Sequence, residues 1–229
     1  MIVGDRKPFA EIMEMLGERE KVLILGCGTC VSVCMAGGEK EVGLLASQLR
    51  MASRKAGKKL DIAEATIQRQ CDREYIEPIM EKAREYGTVL SMACGAGVQL
   101  VAAMMEEVPI LPALNTRFIG YSRAEGEWAE NCRLCGDCRL GDYGGICPVT
   151  LCAKGLLNGP CGGSSNGKCE ADPEKDCAWV LIYNRLKKQG RLDNLRSFRQ
   201  PRNHFISQNP LVQINEAYQK PTMENSPTT

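Results

Sequence analysis

Short apolar runs alternate with longer amphipathic stretches in the first half of the chain. The apolar runs predict four strands, at residues 21–26, 60–67, 88–93 and 110–114. Between them, apolar residues recur at helical spacing and predict three helices, at residues 39–57, 72–87 and 97–106. Pro78 blurs the start of the second, whose regular part is expected to begin near it. Such alternation favours right-handed crossovers between parallel strands. We therefore predict an α/β domain at residues 1–125, with a small, mainly parallel sheet and flanking helices.

The composition of the chain changes near Asn131: Gly, Cys and Pro become frequent, and the regular apolar periodicity ends. Residues 126–190 carry too few apolar side chains for a core of their own. We therefore expect this irregular cysteine-rich region to be stabilised by bound metal. Within it, Ala178–Lys188 is predicted to be a short amphipathic helix. Residues 191–229 form an extended tail, either disordered or an arm that orders on a partner, and its scattered apolar residues favour the arm.

One uncharged stretch, Tyr86–Met105, is 20 residues long, which is the length that a membrane-spanning helix needs. Because it contains Gly87, Gly95 and Gly97, we predict a buried strand, a turn and a buried helix instead. The polar segment Met1–Pro8 lacks the apolar core of a signal peptide. These features predict a cytoplasmic protein without a membrane span, in a compartment where disulfides are disfavoured.

Composition directs attention to cysteine. The 229 residues include 13 cysteines but one histidine, His204, which lies in the polar tail and is expected to be solvated. The 29 Lys and Arg residues and 28 Asp and Glu residues leave a net charge of +1, which indicates neither nucleic acid nor an anionic membrane as partner. A single histidine and the lack of a close carboxylate pair give no basis for predicting a catalytic residue.

Five cysteines follow the predicted strands of the α/β domain. They are Cys27, Cys30 and Cys34 after the first strand, Cys71 after the second and Cys94 after the third. Loops after parallel strands gather along one edge of a sheet, so these thiols are expected to converge. We expect four of the five to hold a [4Fe-4S] cluster, with a helix N-terminus at Gly38 stabilising its negative charge. The simpler interpretation is that one of the two, Cys71 or Cys94, is a small buried hydrophobic residue and not a ligand.

Two other interpretations apply to the first of these loops. Cys27-x2-Cys30 between a strand and a helix resembles a thioredoxin-like redox pair, although such a pair does not need the cysteines of the neighbouring loops. Gly26-x-Gly28 resembles the start of a dinucleotide site, but Val31 occupies the third glycine position. A cluster site is therefore the favoured interpretation.

Eight further cysteines lie in the cysteine-rich region. They are Cys132, Cys135, Cys138, Cys147, Cys152, Cys161, Cys169 and Cys177. The run Cys132-x2-Cys135-x2-Cys138 with a later Cys147-Pro148 resembles the bacterial ferredoxin pattern, with a longer final spacing. Eight thiolates suit two four-iron clusters or two zinc ions, and the spacing does not partition them. We expect two or three [4Fe-4S] clusters in the chain, with zinc as the alternative at one site.

Several longer motifs include these cysteines or lie next to them in the sequence. They are Gly26-Cys-Gly-Thr-Cys-Val-Ser-Val-Cys34, Ala36-Gly-Gly-Glu-Lys-Glu41, Gln70-Cys71, Ala93-Cys-Gly-Ala-Gly-Val-Gln99, Leu157-Asn-Gly-Pro-Cys-Gly-Gly163, Gly167-Lys-Cys-Glu170 and Asp176-Cys-Ala-Trp179. With them, residues Arg6 to Asp193 resemble the small cysteine-rich (MetV-type) subunit of methylenetetrahydrofolate reductase from anaerobic, often acetogenic, bacteria. In that family the subunit accompanies a flavin-bearing catalytic subunit.

The resemblance implies iron–sulfur clusters, a cytoplasmic complex with the flavin subunit and a role in the methyl branch of the acetyl-CoA pathway. We therefore expect a non-catalytic electron-transfer subunit that relays electrons to the partner's flavin. A further electron-donating iron–sulfur protein is a second expected partner. The resemblance does not identify the physiological reductant. The alternatives are a zinc-binding structural scaffold of the same complex and a free-standing iron–sulfur carrier or sensor.

Overall fold

The computed structural model describes residues 1–208 and 210–215, so residues 209 and 216–229 of the predicted tail lie outside the described residues. The chain divides into two compact units, Met1–Arg133 and Leu134–Thr229. The first contains the predicted α/β domain, and the second contains all but one of the cysteines of the cysteine-rich region.

A four-stranded parallel sheet lies at the centre of the first unit, which confirms the predicted fold class. Its strands are β2 (Lys21–Cys27), β3 (Asp61–Ile67), β4 (Val89–Met92) and β5 (Ile110–Pro112). They stand in the order β3-β2-β4-β5, and each neighbouring pair is parallel. Residues 22–25 of β2 are fully buried because helices cover both faces of a sheet of this kind.

The helices of the first unit pack on the two faces of this sheet. They are α1 (Phe9–Leu16), α2 (Cys30–Val33), α3 (Glu39–Lys55), α4 (Arg73–Ile76), α5 (Met80–Tyr86) and α6 (Gly95–Met104). Ile24 of β2 belongs to a core with Leu45 and Leu49 of α3, whereas Leu25 belongs to a second core with Val101 of α6. Successive side chains of one strand therefore face opposite layers.

One predicted helix is interrupted. Residues 72–87 form α4, a 3-10 turn at Glu77–Ile79 and then α5, because Pro78 lacks the amide that a continuous helix would use. Its ends follow the sequence signals: the carboxylate of Asp72 accepts a hydrogen bond from the amide of Glu74, and Gly87 ends α5 in the left-handed region.

The uncharged stretch Tyr86–Met105 contains β4 and α6, as predicted. Among the residues that the structure describes, no helix is both long and apolar enough to cross a membrane.

An antiparallel sheet in the first unit was not predicted. Its strands are β1 (Ile2–Arg6), β6 (Leu114–Ala124) and β7 (Glu127–Cys132), in the order β1-β6-β7. Most side chains of β6 and β7 are exposed or half-buried, so these strands lack the apolar alternation by which a strand is recognised.

The second unit has short elements and a small core. The elements are α7 (Pro148–Leu151), β8 (Lys168–Cys169), β9 (Asp172–Asp176), α8 (Ala178–Lys188) and α9 (Phe205–Gln208), with 3-10 turns at Leu140–Tyr143 and Leu192–Arg196. Helix α8 has the bounds that the sequence predicts. The rings of Tyr143 and Trp179 meet edge to face at 5.6 Å and pack with Ile182 and Leu186.

Candidate metal centre

Three cysteine loops meet at the carboxyl edge of the parallel sheet. Cys27 is the last residue of β2, Cys71 follows the end of β3, and Cys94 follows the end of β4. The thiol of Cys71 interacts electrostatically with those of Cys94 and Cys27. Strand order therefore brings together thiols that are distant in sequence, which is the arrangement that the alternation of strands and helices led us to expect.

A buried glutamine holds the Cys71 loop against the sheet. The side chain of Gln70 has no exposed surface, and its Nε2 donates a 2.8 Å hydrogen bond to the carbonyl oxygen of Leu25 in β2. Its Oε1 accepts a 2.6 Å hydrogen bond from the hydroxyl of Ser91 in β4. The loop after β3 is thus tied to both neighbouring strands, a role for Gln70 and Ser91 that sequence reasoning missed.

Two glycines allow close backbone packing near these loops. A Cβ at Gly37 would lie 2.0 Å from the carbonyl oxygen of Met92, and a Cβ at Gly97 would lie 2.9 Å from Cβ of Gln70. The connection before α3 can therefore press on β4, and α6 can press on the Gln70 loop, only where no side chain intervenes.

The N-terminus of α6 lies at the cysteines. Cys94 is the N-cap residue of this helix, and the amide of Gly95 donates a 2.9 Å hydrogen bond to Oγ1 of Thr116. Partial positive charge at a helix N-terminus favours a thiolate. We expected Gly38 to serve in this way, but its amide donates a 3.0 Å hydrogen bond to Oε2 of Glu41, so a carboxylate already occupies that helix end.

Like Cys27, Cys34 lies in the core of the first unit. Its side chain is buried, and Sγ donates hydrogen bonds to the carbonyl oxygens of Gly4, at 3.7 Å, and Val31, at 3.5 Å. Burial raises the pKa of the Cys34 thiol. Backbone hydrogen bonds at the sulfur partly oppose this rise, and its one S–H hydrogen can be directed at either carbonyl oxygen.

The interpretation of Cys71 or Cys94 as a small buried residue is wrong. Cys71 is exposed and Cys94 is half-buried, and Cys30, at the start of α2, is also half-buried. Partial desolvation, together with the neighbouring thiols of Cys94 and Cys27, raises the pKa of Cys71. These thiols therefore lie where a ligand from outside the protein core can reach them.

The run of closely spaced cysteines crosses the boundary between the two units. Cys132 ends β7 in the first unit, whereas Cys135 and Cys138 belong to the second. Gly136 has a φ of 76°, which confirms that it supplies the turn expected between these cysteines. In the second unit, a Cβ at this glycine would lie 2.5 Å from Cγ2 of Ile206, so the tail helix α9 packs on this turn.

The remaining cysteines of the second unit have varied surroundings. Cys147 and Cys177 are the N-cap residues of α7 and α8, and Sγ of Cys147 accepts a 3.5 Å hydrogen bond from the hydroxyl of Thr150. Cys177 is buried, Cys152 and Cys169 are half-buried, and Cys138 and Cys161 are exposed.

A charged pair accompanies Cys161. Its Sγ lies 3.4 Å from Oε2 of Glu170, and that carboxylate also binds the ammonium group of Lys154. The hydrogen bond from Lys154 lowers the pKa of Glu170, and the bond to Glu170 raises the pKa of Lys154. Lys154 and Glu170 are thus placed beside the Cys161 thiol, and the spacing of cysteines alone gave no signal for either.

Within residues 1–208 and 210–215, no three His, Cys, Asp or Glu side chains are gathered as a site for a single metal ion. His204 is exposed, as predicted. The donor sets described above consist of thiols, several of them accessible and three, those of Cys94, Cys147 and Cys177, at helix N-termini. Thiols of this kind fit a thiolate-ligated cofactor.

The fold and these thiols define a protein with an α/β unit and a second, cysteine-rich unit that has a small core. Residues 111–205 match the family described as "Methylene-tetrahydrofolate reductase C terminal". This part of the chain, which carries all eight cysteines from Cys132 to Cys177, is therefore related to that family. No curated protein and no solved structure matches the chain.

Proposed function

We propose that this protein is the iron–sulfur electron-transfer subunit of a methylenetetrahydrofolate reductase complex. Its role there is to deliver electrons to the flavin of a catalytic subunit, which reduces methylene-tetrahydrofolate. The family match over residues 111–205 supports the link to that reductase. The convergence of Cys27, Cys71 and Cys94 at one sheet edge is the observation that carries the redox role.

In the first unit, the proposed ligands are Cys27, Cys30, Cys71 and Cys94. The thiol of Cys71 interacts with those of Cys27 and Cys94. Cys30 is three residues after Cys27, in a C-x2-C motif. Cys34 is left out because its sulfur donates to two backbone carbonyl oxygens in the protein core. The sulfur of Cys34 is thus already partnered by the backbone, whereas Cys71 and Cys94 are accessible.

In the cysteine-rich region, the proposed ligands are the eight cysteines from Cys132 to Cys177. Their number suits two further four-iron clusters, and zinc at one site is the alternative. Thiolate-held clusters of this kind exchange single electrons. The chain's own residues hold the thiolates in place: Gln70 fixes the Cys71 loop, α6 presents its N-terminus at Cys94, and Lys154 stands beside Cys161.

Metal and sulfide analysis of anaerobically prepared protein tests this proposal. The wild-type chain should contain iron and acid-labile sulfide in about equal amounts and show a broad visible absorption that dithionite bleaches. Cys71→Ser and Cys94→Ser should each lose about four iron atoms and four sulfides per chain, the content of one cubane. The matched variant Cys34→Ser should keep the wild-type content.

Other outcomes decide against the proposal. Zinc without sulfide would identify a structural scaffold, and clusters in a chain that does not bind or reduce a flavoprotein would identify a free-standing carrier. Loss of iron in Cys34→Ser but not in Cys71→Ser would overturn the proposed ligand set while leaving the redox role intact.

A further inference from the structure

Positive charge is concentrated in one segment of the second unit. Residues 185–202 contain seven of the 29 Lys and Arg residues but one of the 28 Asp and Glu residues, a local net charge of +6. Because the whole chain has a net charge of +1, the rest of it carries −5. The near-neutral composition therefore conceals a strongly basic surface region.

Some of this charge has an internal role. Arg199 pairs with Asp142 and stacks on the ring of Tyr143, Arg185 donates to the carbonyl oxygen of Gly144, and Arg191 donates to that of Gly141. These contacts fix the segment after α8 to the rest of its unit.

Other charges in the segment have no such role. Lys187 and Lys188, in the last turn of α8, are exposed, and no carboxylate pairs with either in the part of the chain that the structure describes. Arg196 pairs with Asp193, but both side chains are 86% exposed, so the pair contributes little. We define Lys187, Lys188 and Arg196 as the basic face.

An uncharged cavity of about 380 Å³ lies beside two residues of the basic face, Lys187 and Arg196. Its walls include Tyr143, Pro160, Trp179, Tyr183 and Leu195, and none of its lining residues is charged. Tyr183 precedes Lys187 by four residues on α8, so the two share one side of that helix. Arg196 stands between the lining residues Leu195 and Ser197. Tyr183 and Leu195 are partly exposed, which leaves the cavity open to solvent.

We propose that the basic face and this cavity bind the acidic surface of a partner protein, which inserts one large apolar side chain into the cavity. Protein interfaces commonly place an aromatic or aliphatic anchor in such a pocket and surround it with charges that set specificity and association rate. The carboxylates of the partner would stay on the basic face, because the cavity offers them no charge. This inference does not depend on the redox role.

The charge distribution favours a protein over an extended polyanion. Nucleic acid or an anionic lipid surface carries negative charge well beyond the dimensions of three side chains, whereas the second unit outside residues 185–202 has 5 Lys and Arg and 8 Asp and Glu residues, a net charge of −3. An acidic patch on a protein is local and can match the basic face alone.

Peptide binding to the full chain tests the inference. The probe is a labelled glutamate-rich peptide with one central Trp, compared by fluorescence anisotropy with the same peptide carrying Ala instead. The wild type should bind the Trp peptide more tightly, and binding should weaken as salt is added. The triple variant K187Q/K188Q/R196Q should bind the Trp peptide about tenfold more weakly.

Two control variants make the result specific. R54Q/K55Q/K59Q removes three exposed charges from the first unit and should change peptide affinity by less than about twofold. Tyr183→Ala should abolish the advantage of the Trp peptide over the Ala peptide while keeping the salt dependence.

Three results would overturn the inference. They are equal binding by the two triple variants, no preference for the Trp peptide in the wild type, and tighter binding of a single-stranded oligonucleotide or of phosphatidylserine vesicles than of the Trp peptide. The last result would assign the surface to a different class of partner.

Discussion

The side chain of Gln70 connects two strands through two buried hydrogen bonds. Replacing it with Ala leaves the Leu25 carbonyl oxygen and the Ser91 hydroxyl without these partners and removes the link that orders the Cys71 loop. We predict that Gln70→Ala lowers the free energy of unfolding by about 2–4 kcal/mol, because each buried polar group left unpaired is costly. Urea denaturation of the metal-free, reduced chain measures this change.

Gln68, two residues earlier, is exposed and serves as the control. Gln68→Ala should change the free energy of unfolding by less than about 0.5 kcal/mol. Equal effects of the two substitutions would mean that the buried hydrogen bonds of Gln70 contribute nothing specific to the position of the loop.

The raised pKa of Cys34 predicts a pH dependence of stability. Unfolding returns this thiol to its ordinary pKa of about 8.5. Above that pH the unfolded chain releases the proton while the folded chain retains it, so the stability that Cys34 contributes is fully present below this range and is lost as pH rises toward the folded-state pKa. The free energy of unfolding of the reduced, metal-free wild type should therefore fall more steeply at alkaline pH than that of Cys34→Ala.

The comparison uses slopes, since removing a buried sulfur also changes stability at neutral pH. Cys138 is exposed, and Cys138→Ala is the matched control for loss of a cysteine. A slope in Cys34→Ala as steep as that of the wild type would show that Cys34 is not desolvated in the folded chain.

At the scale of elements, two glycines around α3 should respond to the same substitution with opposite sign. A Cβ at Gly37 would overlap the carbonyl oxygen of Met92, so Gly37→Ala should destabilise the chain by about 1–3 kcal/mol. A Cβ at Gly43, inside α3, would meet nothing closer than Oε2 of Glu64 at 3.7 Å. Gly43→Ala should therefore stabilise the chain by about 0.5–1 kcal/mol through helix propensity.

Thermal or urea denaturation of the two variants checks the pair. The sign of the difference matters more than its size, because both substitutions add one methyl group. Destabilisation of equal size at both positions would contradict the close approach of the α3 connection to β4.

Elements with a strong apolar pattern could be predicted, and those without one could not. The fully buried β2 and the amphipathic α3 and α8 stand close to their predicted bounds. The antiparallel strands β1 and β6 escaped prediction because they pair over a long sequence separation, with Ile2 opposite Ile119, and expose much of their surface. Long-range pairing of half-exposed strands leaves little trace in a local pattern.

The candidate site was predictable only in part, for a related reason. Strand order was enough to place Cys27, Cys71 and Cys94 at one edge. Gln70 and Cys34 have roles set by burial and by backbone carbonyl oxygens, which spacing along the chain does not encode. Sequence therefore predicted where three of the thiols lie, whereas the distinction between accessible and buried thiols required the fold.

At the scale of the whole molecule, the two units differ in how much core they contain. Among the described residues, the two cores of the first unit have nineteen and nine buried residues, whereas the core of the second has five. A core this small does not offset the chain entropy of its unit, so bound metal should supply much of its stability. We predict that removing metal unfolds the second unit and leaves the first folded.

The chain offers a reporter for this prediction, because its two tryptophans lie in different units: Trp128 in the first and the buried Trp179 in the second. In a Trp128→Phe variant, emission reports the second unit alone. Anaerobic removal of metal should shift this emission to longer wavelength, as Trp179 loses its packing against Tyr143, while far-ultraviolet circular dichroism keeps the signal of the parallel sheet and its helices. Unchanged Trp179 emission in metal-free chain would show that five buried residues suffice, and the cysteines of this unit would then need another explanation than stabilisation by metal.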